Sequence, residues 1–425
     1  MNESLQIQLN KGVKFLTGEK KSLMCNTNNA EGLFVSNECR DIIETAVREK
    51  ICFQELFKSI EDDESRDYMR RLAEELDKLG MWKHEDTDKL DCSVMSISYD
   101  ITNDCNLRCR HCCVSAGANG KEFDLSTEDI INNLYKIALI QPFSIIISGG
   151  EPLVRSDFFE IIQCVRKFYD GSLMLMTNAT LIDKKTAAFI EKNFYSVDVS
   201  IDGIDEESCS YLRGKGTFQK CLTGIENLKD AGVKKITASM VVTSQNKHLK
   251  KDFHLLCDKL EIRPVFRCLD NSGRAREIYE EAERKEACFD YTKMEEYFEK
   301  NKIYRTKPQI FACQGAKREF QIDSGGSIFP CGVLMDDMFS MGNLCEIEDF
   351  KDYLENCKFK NTKGYKNFRG FFPDQVEICR DCNKNLLCFS CVNEVRRFVE
   401  SGRNQKLCKE NQCYFDLYWK EYEGV

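Results

Sequence analysis

The sequence predicts an α/β protein built around a partial (β/α)6 barrel, with a winged-helix-like α+β module before it and a cysteine-rich domain after it. Strand-like and helix-like segments alternate six times between Ser93 and about Cys268. Residues 1–90 contain short strand-like runs followed by segments with a helical pattern, and the last 115 residues carry ten of the 24 cysteines. This order of segments favours a central parallel sheet flanked by two smaller modules.

Composition excludes several classes of protein. The chain has 425 residues, with 61 basic against 70 acidic side chains and a net charge of −9. An acidic excess argues against a nucleic-acid-binding surface, and no apolar run approaches membrane-spanning length. The polar start MNESLQIQLNKGVKF lacks a signal-peptide pattern, so we expect a cytoplasmic protein without a membrane partner. In a reducing compartment, 24 cysteines indicate metal or cluster ligation rather than disulfides.

Residues 1–90 read as a small module of strands followed by helices. Four runs have strand-like composition, namely SLQIQLN, VKFLTG, KSLMCN and EGLFV. Ser36 or Asn37 can cap a helix that continues to Val47. A further helix is predicted in ESRDYMRRLAEELDKLG, with Gly80 at its C-terminal cap and an apolar face formed by Tyr68, Leu72, Leu76 and Leu79.

The alternating pattern of residues 91–270 predicts the barrel domain. The strand-like runs are SVMSISY, FSIIIS, SLMLMT, SVDVSID, KITASMVV and IRPVFRC, and an amphipathic helical segment follows each of the first five. Six such units predict a parallel sheet or an incomplete TIM-like barrel with its chemistry at the C-terminal ends of the strands. Residues 271–310 are charge-rich and predict a helical bridge, and residues 311–425 form the cysteine-rich domain.

Three cysteines follow the first predicted barrel strand. Cys105, Cys109 and Cys112 have the spacing C-x3-C-x2-C within one loop. A structural zinc site needs a fourth protein ligand nearby, whereas a four-iron four-sulfur cluster with three cysteine ligands leaves one iron open. The spacing therefore favours a reactive cluster, although a zinc loop remains the alternative.

This loop resembles the cluster motif of the radical SAM superfamily, whose members bind S-adenosylmethionine at the open iron. In that resemblance His111 takes the place of the aromatic residue beside the adenine. The run GGEP after the second strand is similar to the element that binds the methionine amino group. The resemblance implies a cofactor pocket formed by His111, Gly149, Gly150, Glu151, Thr177, Asn178, Ser200, Asp202 and Arg213. Thr177 and Asn178 can equally be an ordinary strand-end turn.

The C-terminal cysteines resemble the SPASM extension of radical SAM enzymes, which binds two auxiliary four-iron four-sulfur clusters. The resemblance assigns the first auxiliary cluster to Cys313, Cys331 and Cys391. It assigns the second to Cys379, Cys382, Cys388 and Cys408, with Cys413 as the competitor of Cys408. Two residues separate Cys388 from Cys391 where the family usually has three, and two zinc sites are the alternative.

The first auxiliary cluster lacks a clear fourth protein ligand in this assignment. Either Cys345 or Cys357 completes it, or one iron is left open for a substrate thiolate. Most remaining cysteines are scattered without ligand spacing, and we expect reduced, buried thiols at nearly all of those positions.

The N-terminal module resembles the PqqD-like recognition element of enzymes that modify ribosomally made peptides, where an open sheet edge takes up a leader peptide. A winged-helix module for dimerisation is the alternative. Together the three resemblances predict a radical SAM/SPASM peptide maturase of the sactipeptide or ranthipeptide type, with three four-iron four-sulfur clusters and S-adenosylmethionine. Its expected partners are a precursor peptide and a flavodoxin- or ferredoxin-type electron donor.

Thioether formation from a cysteine sulfur to a carbon of another residue is the predicted reaction. Carbon–carbon crosslinking and epimerisation of a peptide are the enzymatic alternatives. Sulfatase maturation is a weaker alternative because Gly332, rather than an aspartate, follows Cys331. The non-enzymatic alternative is a peptide-binding adaptor that zinc stabilises and that has no catalytic activity.

Overall fold

The computed structural model describes residues 3–27, 29, 31–83, 90, 92–118, 124–279, 313–380, 382, 385 and 391–401. These residues fall into two compact units, which are described separately. The first contains residues 3–83, 313 and 369–401, and the second contains residues 90–279 and 314–368. Most of the predicted helical bridge lies outside the described residues, as do Cys388, Cys408 and Cys413.

The first unit begins with a three-stranded antiparallel sheet followed by three helices. Its strands pair in the order β1 (Val13–Thr17), β2 (Lys21–Asn26), β3 (Glu31–Ser36). The helices are α1 (Asn37–Glu49), α2 (Phe53–Ser59) and α3 (Asp63–Lys78). Ser36 caps α1 as predicted, since its Oγ accepts a hydrogen bond from the Cys39 N–H at 3.1 Å.

Two predictions for this module are wrong in detail. The run SLQIQLN is not a strand, because Gln6 and Leu9 make only isolated bridges to Cys52 and Trp82. The apolar face of α3 is also rotated from the predicted one, since Tyr68 is 49% exposed. The residues of α3 that enter the core are Met69, Leu72, Ala73 and Leu76.

The second unit contains the six predicted parallel strands. They are β4 (Ser96–Asp100), β5 (Ser144–Ser148), β6 (Ser172–Thr177), β7 (Ser196–Ser200), β8 (Ile236–Val242) and β9 (Arg263–Cys268). Two further strands extend the sheet beyond β4: β10 (Glu319–Ile322), parallel to β4, and β11 (Ile328–Phe329), antiparallel to β10. The sheet order is β11-β10-β4-β5-β6-β7-β8-β9.

Helices connect the parallel strands. They are α4 (Thr127–Ala138), α5 (Phe158–Val165), α6 (Lys184–Asn193), α7 (Glu206–Arg213), α8 (Thr217–Asp230) and α9 (Lys250–Leu260). The later helices are α10 (Phe350–Glu355), α11 (Lys363–Gly370), α12 (Glu377–Arg380) and α13 (Val392–Ser401). In the described part of the chain, no helix has the length and apolar character needed to cross a membrane.

The two faces of the parallel sheet differ in burial. One face carries large apolar side chains that are fully buried, among them Ile97, Tyr99, Ile145, Ile147, Leu173, Leu175, Val199 and Met240. The alternating residues on the other face are half-buried and include Ser98, Ile146, Met174, Met176, Asp198 and Ser200. Since parallel sheets are usually apolar on both faces, the half-buried face indicates an open interior rather than a packed one. We call it the inner face.

Candidate active site

The three cysteines of the first motif lie on the loop between β4 and α4. Cys109 is buried, and Cys105 and Cys112 are half-buried. Burial raises the pKa of the Cys105 thiol to about 12, and the neighbouring Cys109 and Cys112 add to the rise. Three sulfurs close enough to repel one another as thiolates suit a cluster that neutralises them. Among the described residues, no three His, Cys, Asp or Glu side chains could hold a single metal ion.

Gly149 and Gly150 fix this loop against the end of β5. The Gly150 N–H donates to Thr102 O and the Glu151 N–H donates to Asp104 O, both at 2.9 Å. A Cβ at either glycine would lie 2.2 Å from one of these two oxygens, and Gly149 has φ +133°. The glycines therefore let two backbones meet. The binding of a cofactor by this element stays a prediction.

Glu151 joins the ends of β5 and β6. Its buried carboxylate accepts hydrogen bonds from Thr177 Oγ1 at 2.8 Å and from the Asn178 N–H at 2.7 Å. Burial nevertheless raises its pKa to about 7. Asn178 in turn donates from Nδ2 to Oδ1 of Asn106 in the cysteine loop, at 2.9 Å. Thr177 and Asn178 thus connect the buried Glu151 to the loop, and their contact with a cofactor stays a prediction.

His111, Asp202 and Arg213 form a buried charged group beside the cysteines. Oδ2 of Asp202 lies 2.6 Å from Nε of Arg213 and 3.0 Å from Nε2 of His111. Burial opposes ionisation of Asp202, but Arg213 and His111 outweigh it and hold the pKa well below its usual range. Nη1 of Arg213 lies 3.9 Å from Sγ of Cys109. The structure therefore brings these three predicted residues together with Cys109 of the loop.

Ser200 ends β7 on the inner face, where it is half-buried. Two residues earlier on the same face, Oδ2 of Asp198 lies 2.5 Å from Nη2 of Arg267 in β9. Oδ1 of Asp198 has no hydrogen-bond partner among the described residues. Sequence reasoning missed this ion pair, because neither residue belongs to a motif and β8 separates their strands.

Asp100 is a second residue that the motifs did not indicate. It ends β4 beside Ser148 of β5. Burial raises the pKa of its carboxyl group to about 7, although the side chains of Gln321 and Ser148 hydrogen-bond to it. The only sequence signal for Asp100 was its position at the end of a strand whose side chains alternate between the two faces of the sheet.

Cys345 lies beside the turn between β10 and β11. Its Sγ lies 3.3 Å from Nδ2 of Asn133 in α4, and a Cβ at Gly326 would lie 3.1 Å from that sulfur. Gly326 belongs to the turn before β11, whereas Cys331 follows β11. The role of Cys345 as the fourth ligand of the first auxiliary cluster stays a prediction. Cys357 lies buried after α10.

Three of the remaining predicted ligands lie near the helices of the first unit. Cys379 is in α12, and the Cys382 N–H donates to its carbonyl at 3.1 Å. Cys391 precedes α13 and accepts hydrogen bonds from the N–H groups of Glu394 and Val395. Cys313 belongs to the same unit. The ligand roles of all four stay predictions.

Two domain families match the chain. Residues 99–256 match the radical SAM superfamily, and residues 313–383 match SPASM, an iron-sulfur cluster-binding domain. The first range covers β4 to α9 and includes all three cysteines of the loop. The chain therefore contains a radical SAM domain followed by a SPASM domain, as the motifs predicted.

Relatives over larger parts of the chain include two kinds of enzyme. Mycofactocin maturase MftC of Mycolicibacterium smegmatis is 28% identical over 307 residues, which are 69% of this chain and 76% of that protein. The AdoMet-dependent heme synthase of Methanosarcina barkeri is 26% identical over 343 residues, covering 72% of this chain and 93% of that protein.

A solved structure shares the fold over nearly the whole length. SuiB of Streptococcus suis bound to its precursor peptide SuiA has a TM-score of 0.55 and 17% identity, covering 92% of this chain and 97% of SuiB. At this identity the likeness shows the fold alone.

Proposed function

We propose that this protein is a radical SAM/SPASM enzyme that modifies a ribosomally synthesised precursor peptide. The observation that carries the proposal is the three-cysteine loop after β4, where Cys109 lies beside the buried Asp202–Arg213 pair at the C-terminal end of the sheet. Catalytic sites of strand-helix barrels occupy this end. The relatedness to MftC, a maturase by name, supports a peptide substrate.

Cys105, Cys109 and Cys112 would hold the cluster, and the residues around them would hold S-adenosylmethionine. When bound, the cluster and S-adenosylmethionine supply a one-electron cleavage that yields methionine and a hydrogen-abstracting radical. The protein's own contribution is positioning. Glu151 fixes the strand ends under the loop, and Asp202 fixes the guanidinium of Arg213 beside Cys109.

The substrate segment would lie on the inner face of the sheet. Its half-buried serines and methionines offer a surface that is neither fully apolar nor highly charged. Oδ1 of Asp198 is buried there without a hydrogen-bond partner among the described residues, and Arg267 in the ion pair is 44% exposed. An acceptor beside a guanidinium complements the N–H and C=O groups of a peptide backbone.

The three-stranded sheet of the first unit would hold the leader of the precursor. In the described residues, β1 and β3 each pair with β2 alone, so each has an edge that can receive an added strand. This is the arrangement expected of a PqqD-like recognition element. Proline at an edge position whose N–H points away from β2 should abolish leader binding at the edge that is used. Unchanged binding with proline at either edge would exclude strand addition.

Thioether formation is the specific reaction that we favour. Sγ of Cys345 lies beside Asn133 at the turn end of the β10–β11 hairpin, and this position is compatible with a first auxiliary cluster that has neither Cys345 nor Cys357 as its fourth ligand. An open iron would suit a substrate thiolate. Gly332 after Cys331 offers no carboxylate for the base that sulfatase maturation uses.

A tetrapyrrole substrate is a second candidate, since the heme synthase of Methanosarcina barkeri covers 72% of this chain and MftC covers 69%. The N-terminal sheet and helices favour a peptide. Parallel incubations with a precursor peptide encoded nearby and with an iron porphyrin decide between the two substrates, because only the true substrate should change in mass or in residue configuration.

The mass of the peptide product shows which type of bond the enzyme forms. Loss of two hydrogens with one thiol blocked supports a thioether, whereas the same loss with all thiols free supports a carbon–carbon link. An unchanged mass with an altered residue configuration supports epimerisation.

The metal content of the purified protein tests whether it is an enzyme. A brown protein with about ten to twelve irons, for three clusters of four, supports the enzyme. A colourless zinc protein would support the adaptor instead.

A further inference from the structure

The segment after the last parallel strand packs onto the cysteine loop. A short 3-10 turn at Gly273–Glu277 follows β9. Within it, the Arg274 backbone N–H donates to Cys112 O and its side-chain Nε donates to Cys109 O, both at 3.0 Å. One residue thus holds the carbonyl groups of two cluster cysteines.

Gly273 makes this approach possible. Its φ is +53°, and a Cβ at this position would lie 2.4 Å from the Cys113 oxygen and 2.6 Å from the Cys112 oxygen. Both distances are far below van der Waals contact. The turn can therefore reach the loop only with glycine at position 273, which makes the Arg274 contact a built feature of the site.

The charge of Arg274 is not offset as that of Arg213 is. Both guanidinium groups act electrostatically on Cys109. Arg213 is paired with Asp202 at 2.6 Å, so the two charges largely cancel. Within the described residues, Arg274 has no carboxylate partner, and it is half-buried. Arg274 is therefore a half-buried cation at the loop without a paired carboxylate among the described residues, whereas Arg108 and Arg110 of the loop are exposed.

We propose that Arg274 is a positioning residue that clamps the cysteine loop and supplies the positive charge that favours the reduced form of the cluster there. Reduction adds one negative charge to the cluster. A nearby cation at low exposure stabilises that charge more than one in open solvent does. The inference rests on the proposed function, since it requires a cluster on Cys105, Cys109 and Cys112.

A redox titration of three variants tests the clamp. The variants are Arg274→Gln, Arg274→Lys and, as the matched control on the same turn, Arg276→Gln. Arg276 is 58% exposed and lies 3.6 Å from Asp336. Each protein is reconstituted anaerobically, and its midpoint potential is measured from the electron paramagnetic resonance signal that changes when S-adenosylmethionine is added.

We expect Arg274→Gln to lower the midpoint potential by about 60 mV or more, a tenfold loss in the reduced-to-oxidised ratio for one electron. Arg274→Lys should recover at least half of this shift, because it restores the charge. Arg276→Gln should have the potential of the unchanged protein. The rate of iron loss to a chelator should rise only in the two Arg274 variants, because both lose the bond to Cys109 O.

Two results would overturn the inference. One is an unchanged potential in Arg274→Gln with a full cluster, and the other is an equal shift in Arg276→Gln. If the Gln variant cannot retain the cluster, the potential of the Lys variant decides: a value about 60 mV or more below that of the unchanged protein, although the charge is restored, contradicts the role of charge. If the unchanged protein assembles no cluster that responds to S-adenosylmethionine, the proposed function itself fails, which is a distinguishable outcome.

Discussion

Nε of Arg213 lies 2.6 Å from Oδ2 of Asp202, and both side chains are buried beside Cys109. Removal of one member of such a pair leaves an uncompensated charge in the protein interior. We predict that Asp202→Asn lowers the free energy of unfolding by about 3–5 kcal/mol, measured by urea denaturation. The double variant Asp202→Leu with Arg213→Met should be less destabilised than either single variant. Additive losses would contradict a coupled pair.

The buried Asp100 predicts a pH dependence of stability. Its pKa is about 7 in the folded protein against 3.8 as the ordinary value. The folded state therefore holds a proton that the unfolded state releases, and stability falls as pH rises from about 4 to 7. Asp100→Asn should remove the part of the fall that Asp100 causes, which amounts to several kcal/mol at about 1.4 kcal/mol per pKa unit, and should leave the part that the buried Glu151 causes. Thermal unfolding between pH 5 and 8 measures it.

Asp183 provides the control for this experiment. It caps α6 by accepting a hydrogen bond from the Thr186 N–H, which lowers its pKa. Asp183→Asn should therefore leave the fall in stability between pH 5 and 7 in place. If Asp100→Asn shows the same fall as the unchanged protein, Asp100 does not carry the dependence.

Disruption of the Asp198–Arg267 ion pair on the inner face should lower the turnover of the enzyme without weakening its binding of the cofactor. Asp198→Asn should reduce peptide modification tenfold or more, because the acceptor charge beside Arg267 disappears. Binding of S-adenosylmethionine, measured by equilibrium dialysis, should not change. Arg263→Gln, at the opposite end of β9, is the control. Full turnover in the Asp198→Asn variant would contradict a role of this ion pair in the substrate site.

Iron content separates the candidate ligands of the first auxiliary cluster. Cys331→Ser should lose about four irons, the content of one cluster. Cys345→Ser should keep them, because Sγ of Cys345 lies against Asn133 at the turn end of the hairpin. Iron analysis after anaerobic reconstitution measures both. Equal losses in the two variants would show that Cys345 is a ligand after all.

The parallel strands could be predicted from the sequence because each is a short apolar run followed by a capped amphipathic helix. The SPASM region was predicted from spacing, but β10 was not, since its pairing with β4 joins segments more than 200 residues apart in sequence. The run SLQIQLN has the composition of a strand and lacks a neighbouring strand to pair with. Strand composition alone does not supply a partner.

The cysteines and glycines of the site were predictable because their spacing is local. Arg274 was not, since its contact with Cys109 spans 165 residues and its turn has no motif that the sequence analysis used. The backbone contacts of Gly149 and Gly150 were not predictable either, because the oxygens of Thr102 and Asp104 that they approach belong to a different loop.

Cleavage of S-adenosylmethionine tests the central claim most directly. The reconstituted protein is incubated with S-adenosylmethionine and dithionite in the absence of oxygen, and 5′-deoxyadenosine and methionine are quantified by liquid chromatography. We predict both products from the unchanged protein and neither from a variant with serine at Cys105, Cys109 and Cys112. A folded, iron-replete protein that forms neither product, or a triple variant that still forms both, would contradict the account.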